Sequence, residues 1–311
     1  MDAFIKARDN DLVFFYKNPI HLDIQDELGH SLLHYAIFGN ANDVFFYLLN
    51  NNINTNLVNK RGETPLFDAI RKNKREMIIS LLNKYAKVNV FNNNNETPLF
   101  IALSKGNLET IKMLIENGAS LETVNKNGES ALFEAVKGGS VKCFEYIRLL
   151  SSNYKKKDKK GNTLLHLASS LSNSKMLEFL LKNEENPHLV NNILETPIFT
   201  AVRRRHLENV NLLTKYGAYI DITNKYSQTL FDIATENEDY EMLELLKSHE
   251  ESTLYNRNLK ENLLRHAILK RDEELINKYK NKTTKDKFNF SGLDYASNHK
   301  NIRFINILKN K

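Results

Sequence analysis

The chain has 311 residues, of which 41% are hydrophobic and 26% charged, a balance that supports a folded protein and excludes disorder arising from low hydrophobicity. Its net charge of +6 is a modest excess over this length; it admits acidic partners without requiring them. No apolar run reaches the roughly 18 residues of a membrane span, and the opening MDAFIKARDND lacks a basic region followed by an apolar segment, so neither a span nor a general secretory signal is expected.

Along the chain, AFIKARDNDLVFFYKN (3–18) reads as a helix within an N-terminal unit, 1–28. A repeat then begins. GHSLLHYA (29–36), GETPLFDA (62–69), NETPLFIA (95–102), GESALFEA (128–135), GNTLLHLA (161–168), LETPIFTA (194–201) and SQTLFDIA (227–234) start 33 residues apart, a period that signals stacked structural repeats. KENLLRHA (260–267) continues the step, and a shortened unit opens at FSGLDYA (290–296).

Each motif reads as a helix start. Thr64, Thr97 and Thr196 stand where a side-chain oxygen caps orphan amides, and Pro65, Pro98 and Pro197 take the first helical position, where a missing N–H costs nothing. Leu66/Phe67/Ala69, Leu99/Phe100/Ala102 and Leu132/Phe133/Ala135 then place apolar groups on one face, with alanine where another helix comes close. A second helix follows in every unit: VFFYLL (44–49), MIISLL (77–82), TIKMLI (110–115), CFEYIRLL (143–150), MLEFLL (176–181), NVNLLT (209–214) and MLELLK (242–247), after short polar turns such as KGN (105–107). Segments such as ENGASLETVNKNG (116–128) stop that helix at a glycine and continue into a hairpin-like finger.

Helix, turn, helix, glycine and finger in this period resemble the ankyrin repeat, whose T-P-L-H-x-A signature stands here as TPLFDA, TPLFIA, LLHYA and LLHLA. The resemblance implies an all-α solenoid of about eight full repeats, forming one domain over 1–311 with an N-terminal cap at 1–28, repeats over 29–289 and a C-terminal cap at 290–311. The turn glycine (Gly29, Gly62, Gly128, Gly161) is replaced by Asn95, Leu194, Ser227 and Lys260. Asn tolerates positive φ whereas Leu and Lys do so poorly, so the later turns are expected to take another shape.

Catalysis has no visible foothold. None of the phosphate-loop, dinucleotide, H-E-x-x-H or paired C-x-x-C motifs occurs, and neither a metal nor another cofactor is expected. The resemblance implies a structural hydrogen-bonding role for His34 and His166. Cys143, the single cysteine, reads as a small core residue; its solitude excludes an intramolecular disulfide framework and fits a reducing compartment. The expected location is cytoplasmic, in the producing cell or in a host. Gly138 and Gly139 supply a tight interhelical turn. Glu63, Glu96, Glu129 and Glu195, one per repeat, are expected to support the first turn of each helix through its dipole. A cryptic enzymatic pocket would have to lie at the irregular stretch 250–290.

The resemblance further implies partner binding through finger tips and the exposed side of the inner helices, the concave face. The residues expected there are Leu28, Lys60, Arg61, Lys126, Lys159, Lys160, Ile193, Lys225 and Tyr226 on fingers, with Arg71, Lys72, Lys105, Lys137, Arg203 and Arg204 at helix ends. Their basic character suits an acidic protein partner, although exposed lysines also serve solubility alone. The run YKKKDKKG (154–161) is read as a solvated finger, because Asp158 falls in the column of Asp26, Asn59 and Asn125. Neither groove-reading helices nor stacking platforms are visible, so nucleic acid is not the expected partner. The expected function is a monomeric, non-catalytic protein-interaction scaffold. The alternative is a delivered effector or toxin-neutralising protein that sequesters its target.

Overall fold

A computed structural model describes residues 2–151, 157–183 and 185–256, with the backbone alone for 250–256. The chain divides into two compact units, Met1–Tyr154 and Lys155–Lys311. The repeat at 260–267, the shortened unit at 290–296, the C-terminal cap at 290–311, Lys260 and most of the 250–290 stretch lie outside the described residues.

In the first unit the helices are α1 (Asp2–Arg8), α2 (Leu12–Lys17), α3 (Leu32–Gly39), α4 (Asn42–Asn50), α5 (Pro65–Arg71), α6 (Arg75–Asn83), α7 (Pro98–Ser104), α8 (Leu108–Glu116), α9 (Ala131–Lys137) and α10 (Val141–Leu150). The inner helices α3, α5, α7 and α9 pack one on the next, and each carries its own outer helix, α4, α6, α8 or α10. Ala36, Ala69, Ala102 and Ala135 are fully buried, which lets neighbouring inner helices approach. Phe67, Phe100, Phe133 and Phe144 fill the space around them. Cys143 is 1% exposed, and its thiol meets the Gly106 carbonyl, in keeping with a core residue.

The N-terminal segment read as one helix forms two. Asn10 adopts φ +59 between α1 and α2, and the Asp11 side chain accepts from the Phe14 amide to start α2 afresh. Because α1 packs on α3 and α2 on α4, this segment is itself a shortened helix pair. Gly39 makes the docking possible, since a Cβ there would lie 1.7 Å from the Arg8 carbonyl oxygen.

The second unit contains α11 (Leu164–Ser169), α12 (Lys175–Lys182), α13 (Pro197–Arg203), α14 (Leu207–Lys215), α15 (Leu230–Glu236) and α16 (Tyr240–Asn256). α11, α13 and α15 stack as inner helices, with α12, α14 and α16 behind them.

Two local expectations are corrected. Thr64, Thr97 and Thr196 occupy the N-cap position with extended backbone, but none makes a side-chain capping bond. Their buried hydroxyls have no hydrogen-bond partner among the described residues. The reason is the residue three positions on: where it is histidine, as in Ser31/His34 and Thr163/His166, the hydroxyl and the ring nitrogen bond at 2.9 Å, whereas Phe67, Phe100 and Phe199 offer no such partner. The later finger turns also keep their shape. Leu194 and Ser227 adopt φ +60 and +61, as Asn95 does at +60, so the stacked fingers hold even leucine in the left-handed region.

Candidate functional site

Each finger is organised by one Asx side chain. Asn59 Oδ1 accepts from the amides of Arg61 and Glu63 at 2.9 and 3.1 Å. Asn92, Asn125, Asn191 and Asn224 do the same for the amides two and four residues ahead. Asp26 binds the Leu28 and His30 amides in this way. Asp158 accepts from the Asn162 amide, so the described part of the basic run, 157–161, is a finger turn as expected; residues 154–156 lie outside the described residues. No strand forms among the described residues, and two fingers contain an isolated antiparallel bridge. An Asx-turn, using a short side chain to satisfy amides that a strand partner would otherwise take, explains how the fingers close without a sheet.

Adjacent fingers are tied edge to edge. In the first unit the amides of Lys60, Asn93 and Lys126 donate to the carbonyls of Leu28, Arg61 and Asn94 at 2.8, 2.8 and 2.9 Å. In the second, Asn192 and Lys225 donate to Lys160 and Ile193. Equivalent residues of neighbouring fingers therefore stand side by side in rows.

Behind the fingers lie the glutamates expected to serve the helix dipole. They do something more specific. Glu63 Oε1 accepts from Arg71 at 2.6 Å, and Arg71 also bonds Asp68 at 2.6 Å. Arg61 Nη2 stands 3.0 Å from Glu63 Oε2. Glu129 and Glu134 share Lys137 at 2.7 and 2.9 Å. Glu195 pairs with Arg203 at 2.5 Å and accepts from Asn224 of the next finger. In each case a nearly buried carboxylate meets a cation eight residues later, at the far end of the same inner helix. Burial raises the Asp68 carboxyl above its ordinary range against the pull of Arg71, and burial likewise raises Glu134. Burial also pushes Glu129 upward, but hydrogen bonds from Asn125 and Lys137 outweigh it and leave that group lowered. For Lys137, burial is outweighed by its bonds to Glu129 and Glu134, so the ammonium is held more firmly.

This divides the fifteen expected binding residues. Arg61, Arg71, Lys137 and Arg203 are engaged by carboxylates of their own repeat. Lys60, Lys105 and Lys126 in the first unit, and Lys159, Lys160, Arg204 and Lys225 in the second, are exposed and have no ion pair among the described residues. Lys72 is exposed too, with its ammonium 5.8 Å from the centre of the Phe38 ring and no carboxylate partner. Leu28 and Tyr226 project from their fingers at 56% and 66% exposure, while Ile193 is half-buried.

The motif histidines act within the stack. The Ser31 amide donates to His34 Nδ1 at 3.0 Å, which leaves the ring proton on Nε2 to donate to the Glu63 carbonyl in the next repeat at 3.1 Å. His166 repeats this with Thr163 and the Glu195 carbonyl. Burial lowers each imidazole to about 4, so both are neutral at pH 7, as a structural role requires.

Sequence reasoning named the residues of two columns without their roles. The carboxylate–cation pairing was visible as Glu63/Arg71, Glu129/Lys137 and Glu195/Arg203 at constant separation, and the Asx turns as a polar residue recurring at each finger. Among the described residues no group of histidine, cysteine or carboxylate side chains is placed to hold a metal ion, and no helix is long and apolar enough to cross a membrane.

A family model for ankyrin repeats matches residues 1–92, 90–154, 147–225 and 173–258. A comparison with curated proteins gave no match.

Proposed function

The chain belongs to the ankyrin-repeat family, and we propose that it binds an acidic segment of a partner protein through the unpaired cations of its fingers and inner-helix ends. Ankyrin repeats are generally protein-interaction modules, and the family is typically non-catalytic. The observation that carries the reading is the division among the basic residues. Arg71, Lys137 and Arg203 neutralise buried carboxylates, whereas Lys60, Lys72, Lys105 and Lys126 of the first unit face solvent without a carboxylate partner. Like charges on one surface sum their field and steer an acidic partner, and the effect falls with salt.

The test is affinity capture from native lysate with the full chain beside a variant carrying K60E, K72E, K105E and K126E. The expected result is a discrete protein held by the unmodified chain and lost from the variant, with both melting alike. Retention of the same protein by the folded variant would overturn this surface.

A further inference from the structure

Three fingers of the first unit carry a partly exposed apolar residue. Val58, Phe91 and Val124 are 45%, 44% and 36% exposed, and each immediately precedes the buried Asx residue of its finger, Asn59, Asn92 or Asn125. Because the fingers are joined edge to edge by the Lys60–Leu28, Asn93–Arg61 and Lys126–Asn94 bonds, these side chains form one row across successive repeats. Two residues on, Lys60, Asn93 and Lys126 form a second exposed row. A lone surface valine needs no explanation. A file of three with the largest residue central, beside a parallel row that has a cation at each end, has the apolar centre and charged rim of an interface.

The repeat pitch restricts what fits. Packed helices lie about 8–10 Å apart, so the apolar row presents a contact at roughly that interval. Seven residues of α-helix rise about 10.5 Å and return to the same face. A β-strand turns successive side chains to opposite faces at about 3.3 Å per residue, so residues on one face recur near 6.6 or 13 Å and miss the row. A helix about 10 Å across also covers both rows at once. Its apolar stripe would lie on Val58, Phe91 and Val124, and carboxylates along its flank would meet Lys60 and Lys126.

We propose that this double row seats an acidic amphipathic α-helix of the partner protein, with Phe91 as its central contact. The inference rests on the binding reading above and deepens it by naming the shape and the apolar component of the ligand.

The experiment uses the full chain and a synthetic 21-residue helical peptide with leucines at heptad a and d positions and glutamates beside them, followed by fluorescence anisotropy. Two control peptides replace the glutamates by lysine, or break the helix with prolines at solvent-facing positions. The expected result is saturable binding of the acidic helix, weakened at least tenfold by F91S and by K60E/K126E, with the lysine peptide inert and the proline peptide at least tenfold weaker. Phe91 is exposed, so F91S should melt like the unmodified chain. If F91S binds as well as the unmodified chain while K60E/K126E does not, the apolar row is not the seat, although acidic recognition survives. Equal binding of the proline peptide would overturn the helix. Absence of binding by the acidic helix would overturn the inference, leaving lysate capture to decide the broader reading independently.

Discussion

His166 Nε2 stands 2.8 Å from the carbonyl oxygen of Glu195, joining one repeat to the next through a buried, neutral imidazole. His34 and Glu63 are related in the same way at 3.1 Å. The bond takes up a backbone carbonyl at the base of the neighbouring finger, so it couples helix start to finger position.

Acid should therefore loosen the array. Each imidazole is held at about 4 in the fold, against about 6.5 when unfolded. Between those values the unfolded chain binds the additional proton, so stability is complete above about pH 6.5 and declines as pH falls toward 4. The loss approaches about 3 kcal/mol per histidine, at 1.36 kcal/mol for each unit of pKa difference. Thermal melts from pH 7.5 to 4 should show this decline. H166F, which installs the residue found at Phe199, should lower stability near pH 7.5 by about 1 kcal/mol through the lost bond and reduce the acid dependence. An unaltered pH profile in that variant would contradict the assignment.

The N-cap threonines should respond in opposite ways. Thr97 Oγ1 is buried without a partner among the described residues, whereas Thr163 Oγ1 lies 2.9 Å from His166 Nδ1. Replacing an unsatisfied hydroxyl by a methyl removes a desolvation penalty, while replacing a bonded one gives up a buried hydrogen bond. T97V is expected to be neutral or stabilising by up to about 1 kcal/mol, and T163V destabilising by about 1 kcal/mol. Paired denaturant melts at neutral pH check the contrast, which fails if the two changes cost the same.

The fold was legible because every local signal recurs. Proline before Leu66, Leu99 and Ile198, alanine at Ala69, Ala102 and Ala201, and the period itself point to the same helix pairs. What sequence reasoning missed depends on contacts between columns. The glutamates looked like helix-dipole partners because Glu63 precedes α5 closely, yet its side chain reaches Arg71 at the helix's other end. The division among the basic residues was hidden for the same reason: composition gives Arg71 and Lys105 equal charge, and the buried carboxylates of Glu63 and Asp68 engage Arg71 alone of the two. Leu194 was misjudged because backbone preference, taken alone, omits the bonds that hold its turn.

That turn supplies a third prediction. A leucine at φ +60 costs on the order of 1–2 kcal/mol relative to a right-handed conformation, and asparagine visits this region more readily. L194N is expected to stabilise the second unit by about 0.5–1 kcal/mol, allowing for lost burial of the half-exposed leucine. G161L should behave oppositely: a Cβ there would come 2.5 Å from Asn192 Oδ1 and 2.8 Å from the Asn192 amide nitrogen. Melting temperatures that move together in the two variants would show that turn strain does not govern either position.

The third full repeat breaks the pairing rule, and that break can be repaired. Glu96 occupies the column of Glu63 and Glu129, but Ser104 stands where those repeats place Arg71 and Lys137. Glu96 accepts from the Asn92 side chain at 2.9 Å and has no ion pair among the described residues. Ile101, where the flanking repeats have Asp68 and Glu134, removes the second carboxylate, so one cation would suffice. S104R should reach Glu96 as Arg71 reaches Glu63, with a gain of about 0.5–1 kcal/mol for a partly exposed pair. The decisive comparison is a double-mutant cycle with E96Q, which separates the new pair from any general effect of added arginine. A favourable coupling that vanishes with E96Q establishes the vacant cation position. Equal gains from S104R in both backgrounds would mean that the arginine stabilises without meeting Glu96, and that the pairing in neighbouring repeats does not carry over to this one.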